Sequence, residues 1–363
     1  MLRAKVLDLT RVLAGPLCAM VLADLGADVI KVERPGDGDE TRGWGPPFDP
    51  TGMSAYFRSV NRNKKSIALD LSAEPDRRIL LSLMVEADVV IENFLPASRS
   101  RLGLNPEELL RTHPSLVWCS ITGFGAESNR PGYDFLIQAE SGWMAITGEP
   151  DGQPMKVGVA LADVIAGKDA AIAILGALAS RPGENREPSE RRITISLLDS
   201  ARAALVNVAQ NVLVSGSDAR RWGNAHPNLV PYQLFEASDR SFVIAIGSDS
   251  QWKSCVEALG IRELANEAAL KTNAGRVANR ERVARKIGDV VTSRPAEEWV
   301  TLLRQAGVPS GLVKGVAESL TDSGASPITG VPPSVPGRVR IPPPVLDEHG
   351  AAIRSLGWRA FLR

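Results

Sequence analysis

The chain has 363 residues, 44% of them hydrophobic, which suits one large domain or two ordinary ones with a substantial core. Lysine plus arginine and aspartate plus glutamate both number 42, so the formal net charge is zero and no global basic field exists to hold nucleic acid or an acidic membrane. Cys18, Cys119 and Cys255 are too few and too scattered for a disulfide framework or a zinc site, and they fit a reducing cytoplasm.

Met1-Leu-Arg-Ala-Lys-Val-Leu-Asp8 enters a strand-like run with no signal-peptide pattern. Residues 165–179 come nearest to a membrane span, but Lys168 and Asp169 interrupt them. The expectation is a cytoplasmic chain without a membrane segment.

Residues 4–9 predict a strand. Gly15-Pro16 opens an apolar helix that Gly26 stops, and residues 27–33 predict a second strand. This βαβ unit implies a parallel sheet. The first turn, Thr10 to Pro16, has one glycine and lacks the G-x-G-x-x-G pattern, so dinucleotide binding by that route is rejected. A long loop follows from Arg34 to Pro47, at a strand's carboxyl end, where α/β folds place ligands. Asn61-Arg-Asn-Lys-Lys65 reads as a basic loop feeding a strand. Ser72 is the expected cap of a helix over 74–86. Strands are predicted at 88–91 and 116–122, with a short helix capped at Asn105-Pro106 between them. The alternation predicts a doubly wound α/β domain.

Arg34, the Asn61–Lys65 cluster, and Asn93-Phe94 with Arg99 and Arg101 each follow a strand or open a helix. They suit a phosphorylated nucleotide, with cations for phosphates and Phe94 for a base face; an ordinary solvated surface is the competing reading. A second Gly-rich loop, 123–134, leads to a helix over 135–145. Then Val157 to Ala162 runs apolar into Asp163, and a small, apolar helical stretch continues to Ala179. Asp163 reads either as a helix cap or as a carboxylate nucleophile. An ordinary aspartate titrates near 3.9, so it would be ionised at neutral pH without a base. The two readings are compatible.

Residues 181–191 form a polar connector before a strand at 192–196 and a helix at about 197–215. Residues 216–231 look like the crossing into a second domain. A strand at 241–247 leads into a helix that Ser248 opens, and helices are expected around 276–293 and 296–306. The division expected is a large domain over 1–215, a small α+β domain over 216–325, and a tail over 326–363 returning to the large one.

Asp8-Leu-Thr-Arg-Val-Leu-Ala-Gly-Pro16, Asp24 to Gly36, Asn61-Arg-Asn-Lys-Lys-Ser66, Glu92-Asn-Phe94, Gly132-Tyr-Asp134, Thr147-Gly-Glu-Pro150 and Ala162-Asp-Val-Ile-Ala-Gly167 together resemble the class III CoA-transferases, the CaiB/BaiF or formyl-CoA transferase-like family. The resemblance implies a Rossmann-like large domain, a smaller α+β domain and a homodimer of interlocked rings. It implies coenzyme A and acyl-CoA as substrates, no tightly bound cofactor and no metal. It places Asp163 as the acyl-accepting aspartate, with Tyr133 and Asp134 facing it. The adenosine and phosphate contacts would be Arg34, Leu69, Asn93, Phe94 and Arg101, with Lys64 and Lys65 as further phosphate partners.

Related racemases carry a histidine where this chain has Tyr133. A tyrosine phenol ordinarily titrates near 10 and is a poor base, so transfer is favoured over α-methylacyl-CoA racemization; a CoA-binding protein without turnover is a third reading. Neither His113, His226 nor His349 falls at that position. The loop Gly247-Ser-Asp-Ser-Gln251, with Gly247, Ser248 and Gln251 as substrate-loop residues, and Leu13 differ from the formyl-CoA transferase pattern. They point to succinyl, glutaryl or mesaconyl acids. Arg42 and Arg62 are candidates to pair a substrate carboxylate.

Overall fold

The computed structural model describes residues 1–179 and 187–362; most of the 181–191 connector therefore lies outside the described residues. The chain divides into two compact units. The first comprises Met1–Met144, Lys156–Ser217 and Thr321–Arg363, and the second Ala145–Met155 and Asp218–Leu320. Residues 145–155, read above as part of the large domain, are thus grouped with the second unit.

The first unit is built on six parallel strands: β1 (Lys5–Asp8), β2 (Asp28–Glu33), β3 (Lys64–Ala68), β4 (Val89–Glu92), β5 (Val117–Thr122) and β6 (Arg192–Ser196). Their spatial order is β3-β2-β1-β4-β5-β6. Apolar residues point to both faces of the sheet because helices cover both. Alternation divides them cleanly. Val6, Val29, Val89, Ile91, Val117 and Cys119 join a core beneath the helices Ala14–Leu25 and Leu161–Ala179. Leu7, Ile30, Ile67, Val90 and Trp118 join the other core, with Leu80, Leu83, Ile353 and Trp358. The winding reverses between β1 and β4, so their carboxyl ends form the crevice in which such sheets bind ligands.

The second unit has an antiparallel sheet of β7 (Tyr232–Glu236), β8 (Ser241–Ala245) and β9 (Ser310–Leu312), in that order. Phe242, Ile244, Trp252, Ile287, Trp299 and Leu303 belong to its own core. No helix among the described residues is long and apolar enough to cross a membrane.

Several elements differ from expectation for local reasons. The expected 135–145 helix is two pieces, Asp134–Glu140 and Trp143–Ile146, separated at Gly142, whose φ is 93°. The 197–215 helix breaks likewise into Leu197–Ala203 and Val206–Ser215. Ser72 does not cap the Glu74–Val85 helix; Ala73 is at the cap position, and Ser72 turns its hydroxyl back to Asp70.

Candidate active site

Asp163 lies in the first turn of the helix Leu161–Ala179, two residues inside its start, and does not cap it. The capping carboxylate comes from elsewhere in the chain. Asp134 Oδ1 accepts hydrogen bonds from the backbone N–H of Ala162 at 2.8 Å and of Asp163 at 3.4 Å. Asp134 Oδ2 accepts from the Gln138 side-chain amide at 2.6 Å, and the carbonyl oxygen of that amide accepts from the Val157 N–H at 2.8 Å. The helix thereby seats deeply on the Ala14–Leu25 helix. Gly167 permits the contact, since a Cβ there would lie 2.5 Å from the Ala14 carbonyl oxygen.

Asp163 is 8% exposed, and its carboxylate accepts no hydrogen bond from the described residues. Burial, and then the neighbouring Asp134 carboxylate, push its pKa up to about 7. The expectation of a fully ionised aspartate at neutral pH is corrected accordingly: an ordinary value applies only in water, and this carboxyl has lost most of its hydration without gaining a partner. Burial, then Asp163 and Asp134, also raise the nearby Tyr56 phenol to about 12.

Asp163 lines a small chamber of about 100 Å³, whose wall includes Val12, Leu13, Ala14, Phe94 and Tyr133. Tyr133 is exposed and occupies the residue before the Asp134–Glu140 helix. Its loop is brought in by two glycines packed back to back. A Cβ on Gly132 would fall 2.2 Å from the Gly123 Cα, and one on Gly123 would fall 2.4 Å from the Gly132 Cα.

Arg11 and Phe94 also line a larger cavity of about 800 Å³, reached at the carboxyl ends of β1, β2 and β4. Arg34, Leu69, Arg77 and Arg101 line this cavity as well. It therefore offers apolar and aromatic surface beside several guanidinium groups, a combination suited to a nucleotide with phosphates. Arg34 and Arg101 are exposed at its edge.

Four expected ligand cations are otherwise engaged. Lys64 belongs to β3, not to a loop, and is fully buried; its ammonium donates to Asp8 at 2.9 Å, the Pro16 carbonyl at 2.8 Å and Asn61 at 2.8 Å. It is no phosphate partner. Lys65 donates to the Ala360 carbonyl and lies over the Phe361 ring, away from the lining of either cavity. Arg42 pairs with Glu33 at 2.8 Å and stacks on Phe57, while Arg62 pairs with Asp24 at 2.7 Å and donates to the tail carbonyls of Thr329 and Val331. Neither is free for a substrate carboxylate.

Gly247, Ser248 and Gln251 lie in the second unit, where Ser248 caps the helix Asp249–Ala258 and the Gln251 side chain accepts from the Gly247 N–H at 2.8 Å. Among the described residues no cluster of His, Cys, Asp and Glu is arranged to hold a metal. The sequence reading missed Arg11, Val12, Tyr56 and Arg77. Arg77 sits one turn into a helix read above only for its bounds and cap, and the other three are distinguished by position alone.

The match to known proteins runs the length of this site. The model of CoA-transferase family III matches residues 3–327, and the chain belongs to that family. The protein is a CoA-transferase that uses CoA thioesters as substrates. A succinate–glutarate CoA-transferase of Agrobacterium fabrum is 42% identical over 88% of this chain and 81% of its own length. An acetyl-CoA:oxalate CoA-transferase of Acetobacter aceti is 38% identical over 96% of this chain and 94% of its own. The crystal structure of a CaiB/BaiF family protein from Brucella suis superposes with a TM-score of 0.83 at 42% identity, covering 97% of each chain.

Proposed function

We propose that this chain moves CoA between dicarboxylic acids of the succinate and glutarate type, with Asp163 as the covalent relay. The observation that carries the proposal is the unpartnered, buried carboxylate in a chamber whose wall residues Arg11 and Phe94 also line an arginine-edged cavity. The names of the Agrobacterium enzyme and of a 42% identical succinyl-CoA:glutarate CoA-transferase of Mus musculus support the acids.

In the proposed sequence an Asp163 carboxylate oxygen attacks the donor thioester carbon. The C–S bond breaks and CoA thiolate leaves, giving a mixed anhydride. The thiolate then attacks the Asp163 acyl carbon, the donor acid departs as carboxylate, and an aspartyl-CoA thioester remains. The acceptor carboxylate attacks that thioester, expels CoA thiolate and forms a second anhydride. Attack of the thiolate on the acceptor's acyl carbon releases the new acyl-CoA and restores Asp163. The relay replaces one difficult exchange by steps in which carboxylate and thiolate alternate as leaving groups. A chamber of about 100 Å³ holds the liquid share of about three waters, so an acyl group entering it displaces the competing nucleophile.

Arg34, Leu69, Phe94 and Arg101 are assigned to the CoA nucleotide in this proposal, with Arg77 added. Tyr133 and Asp134 border the reacting aspartate. The working form is a cytoplasmic homodimer, checked by sedimentation. Purified enzyme incubated with succinyl-CoA and then digested should yield a peptide bearing CoA on Asp163. Asp163→Ala should lose exchange by at least about 10³-fold while remaining folded. Full activity in that variant, or CoA attached elsewhere, would refute the assignment. α-Deuterium incorporation in D2O without new thioesters would instead support racemization.

A further inference from the structure

We infer that Asn93 is a positioning residue, holding the wall of the acyl chamber in a conformation the backbone would not adopt unaided. The segment between β1 and the Ala14–Leu25 helix is held peptide by peptide. The Thr10 N–H donates to Asp8 at 3.0 Å, and the Thr10 carbonyl accepts from the buried Lys31 ammonium at 2.9 Å. The Asn93 side chain clasps Arg11 reciprocally: its oxygen accepts from the Arg11 N–H at 3.1 Å and its NH2 donates to the Arg11 carbonyl at 2.9 Å. The Val12 N–H then donates to Asp39 Oδ1 at 3.3 Å.

Val12, at the end of this clasp, has φ of 72°. Left-handed backbone is unfavourable for a β-branched residue and persists only where the surroundings impose it. Lys31, which holds the preceding carbonyl, is itself fixed by Asp39 at 3.1 Å, so the supports on either side of Asn93 are linked in the interior. Val12, Leu13 and Ala14 line the chamber beside Asp163. The φ of Val12 therefore sets where that wall stands relative to the nucleophile. Asn93 also borders the chamber, but both functional ends of its amide face Arg11. A residue so engaged acts on the wall through Arg11 and Val12.

The two roles separate kinetically. Loss of a CoA contact raises KM for the donor and spares kcat, whereas a displaced wall lowers kcat and leaves KM nearly unchanged. Initial rates with succinyl-CoA and saturating glutarate should show Asn93→Ala losing about 10- to 100-fold in kcat, with KM within about twofold. Asparagine tolerates the left-handed region better than valine. The double variant Val12→Asn/Asn93→Ala should therefore regain at least about fivefold of the lost kcat. Asn93→Asp, which keeps the acceptor for Arg11 N–H and loses the donor to its carbonyl, should behave as Asn93→Ala does, and it carries the comparison if the alanine variant does not fold. A raised KM with normal kcat, an unaffected enzyme, or no recovery in the double variant overturns the inference. The inference rests on Asp163 as acyl acceptor. Failure of that assignment would show separately, as activity in Asp163→Ala.

Discussion

Asp8 and Asp163 are both buried carboxylates of the first unit, and they behave oppositely. Burial acts to raise Asp8 too, but Lys64, Lys31 and the Thr10 hydroxyl outweigh it, and its pKa falls below the ordinary value. Asp163 has no such partner, and its pKa rises to about 7. Desolvation is thus common to both sites, and pairing decides the sign. The Asp8 cluster saturates its charges and fixes β1, β2 and β3 against the loops at their ends. Asp163 keeps a reactive oxygen uncommitted, at a cost in stability.

The comparison can be broken from the Asp8 side. Asp8→Ala strands Lys64, whose pKa burial already pushes down to about 8, together with Lys31. Removing one partner of such a buried network should destabilise the first unit by about 3–5 kcal/mol. Chemical denaturation followed by tryptophan emission, with Trp143 in the core on that face of the sheet, measures this.

From the other side, Asp163→Asn should stabilise. The folded pKa lies above the ordinary 3.8, so the folded chain binds more protons than the unfolded one between about pH 4 and 7. Stability falls as pH rises through that window, and the cost is complete above about pH 7. Relative to wild type, the asparagine variant should therefore gain nothing near pH 4. At pH 8 the gain is on the order of 4 kcal/mol at most. Denaturation at both pH values tests it; equal gains at the two would exclude the carboxylate as the cause.

Activity should follow the same titration. In the proposed relay only ionised Asp163 attacks, so kcat/KM for succinyl-CoA should fall about tenfold per pH unit below about 7 and level off above it. A profile flat down to pH 5 would mean that the free enzyme's nucleophile titrates normally. The smallest effect belongs to Lys65→Ala, which should change KM for CoA less than about twofold, because Lys65 points to Ala360 and Phe361.

The parallel sheet was legible because strand and helix alternate. Asp163 stood out as a candidate because an apolar run ends on a single carboxylate at a helix start. Its environment was not legible: the cap comes from Asp134, 29 residues earlier, and no spacing rule connects them. Lys64 and Lys65 were misread for a related reason. A basic pair after Asn61-Arg-Asn63 looks like surface, but β3 begins at Lys64 and draws one ammonium into the interior beside Asp8. Strands β7 and β9 escaped notice because Tyr232–Glu236 shows no clear alternation and Ser310–Leu312 is three residues long.

The last stretch of chain is fastened to the first unit's sheet. Asn63 binds the backbone of Arg338, Arg340 and Ile341, and Asp347 accepts from the Ala68 N–H of the edge strand β3. Synthesis runs from the amino end, so the whole second unit is synthesised before these residues exist. Until the tail has emerged, the β3 edge and the apolar seats of Ile353 and Trp358 stay open. The nascent chain consequently carries an unfinished sheet through most of its translation, and a truncation near residue 320 would leave that exposure permanent.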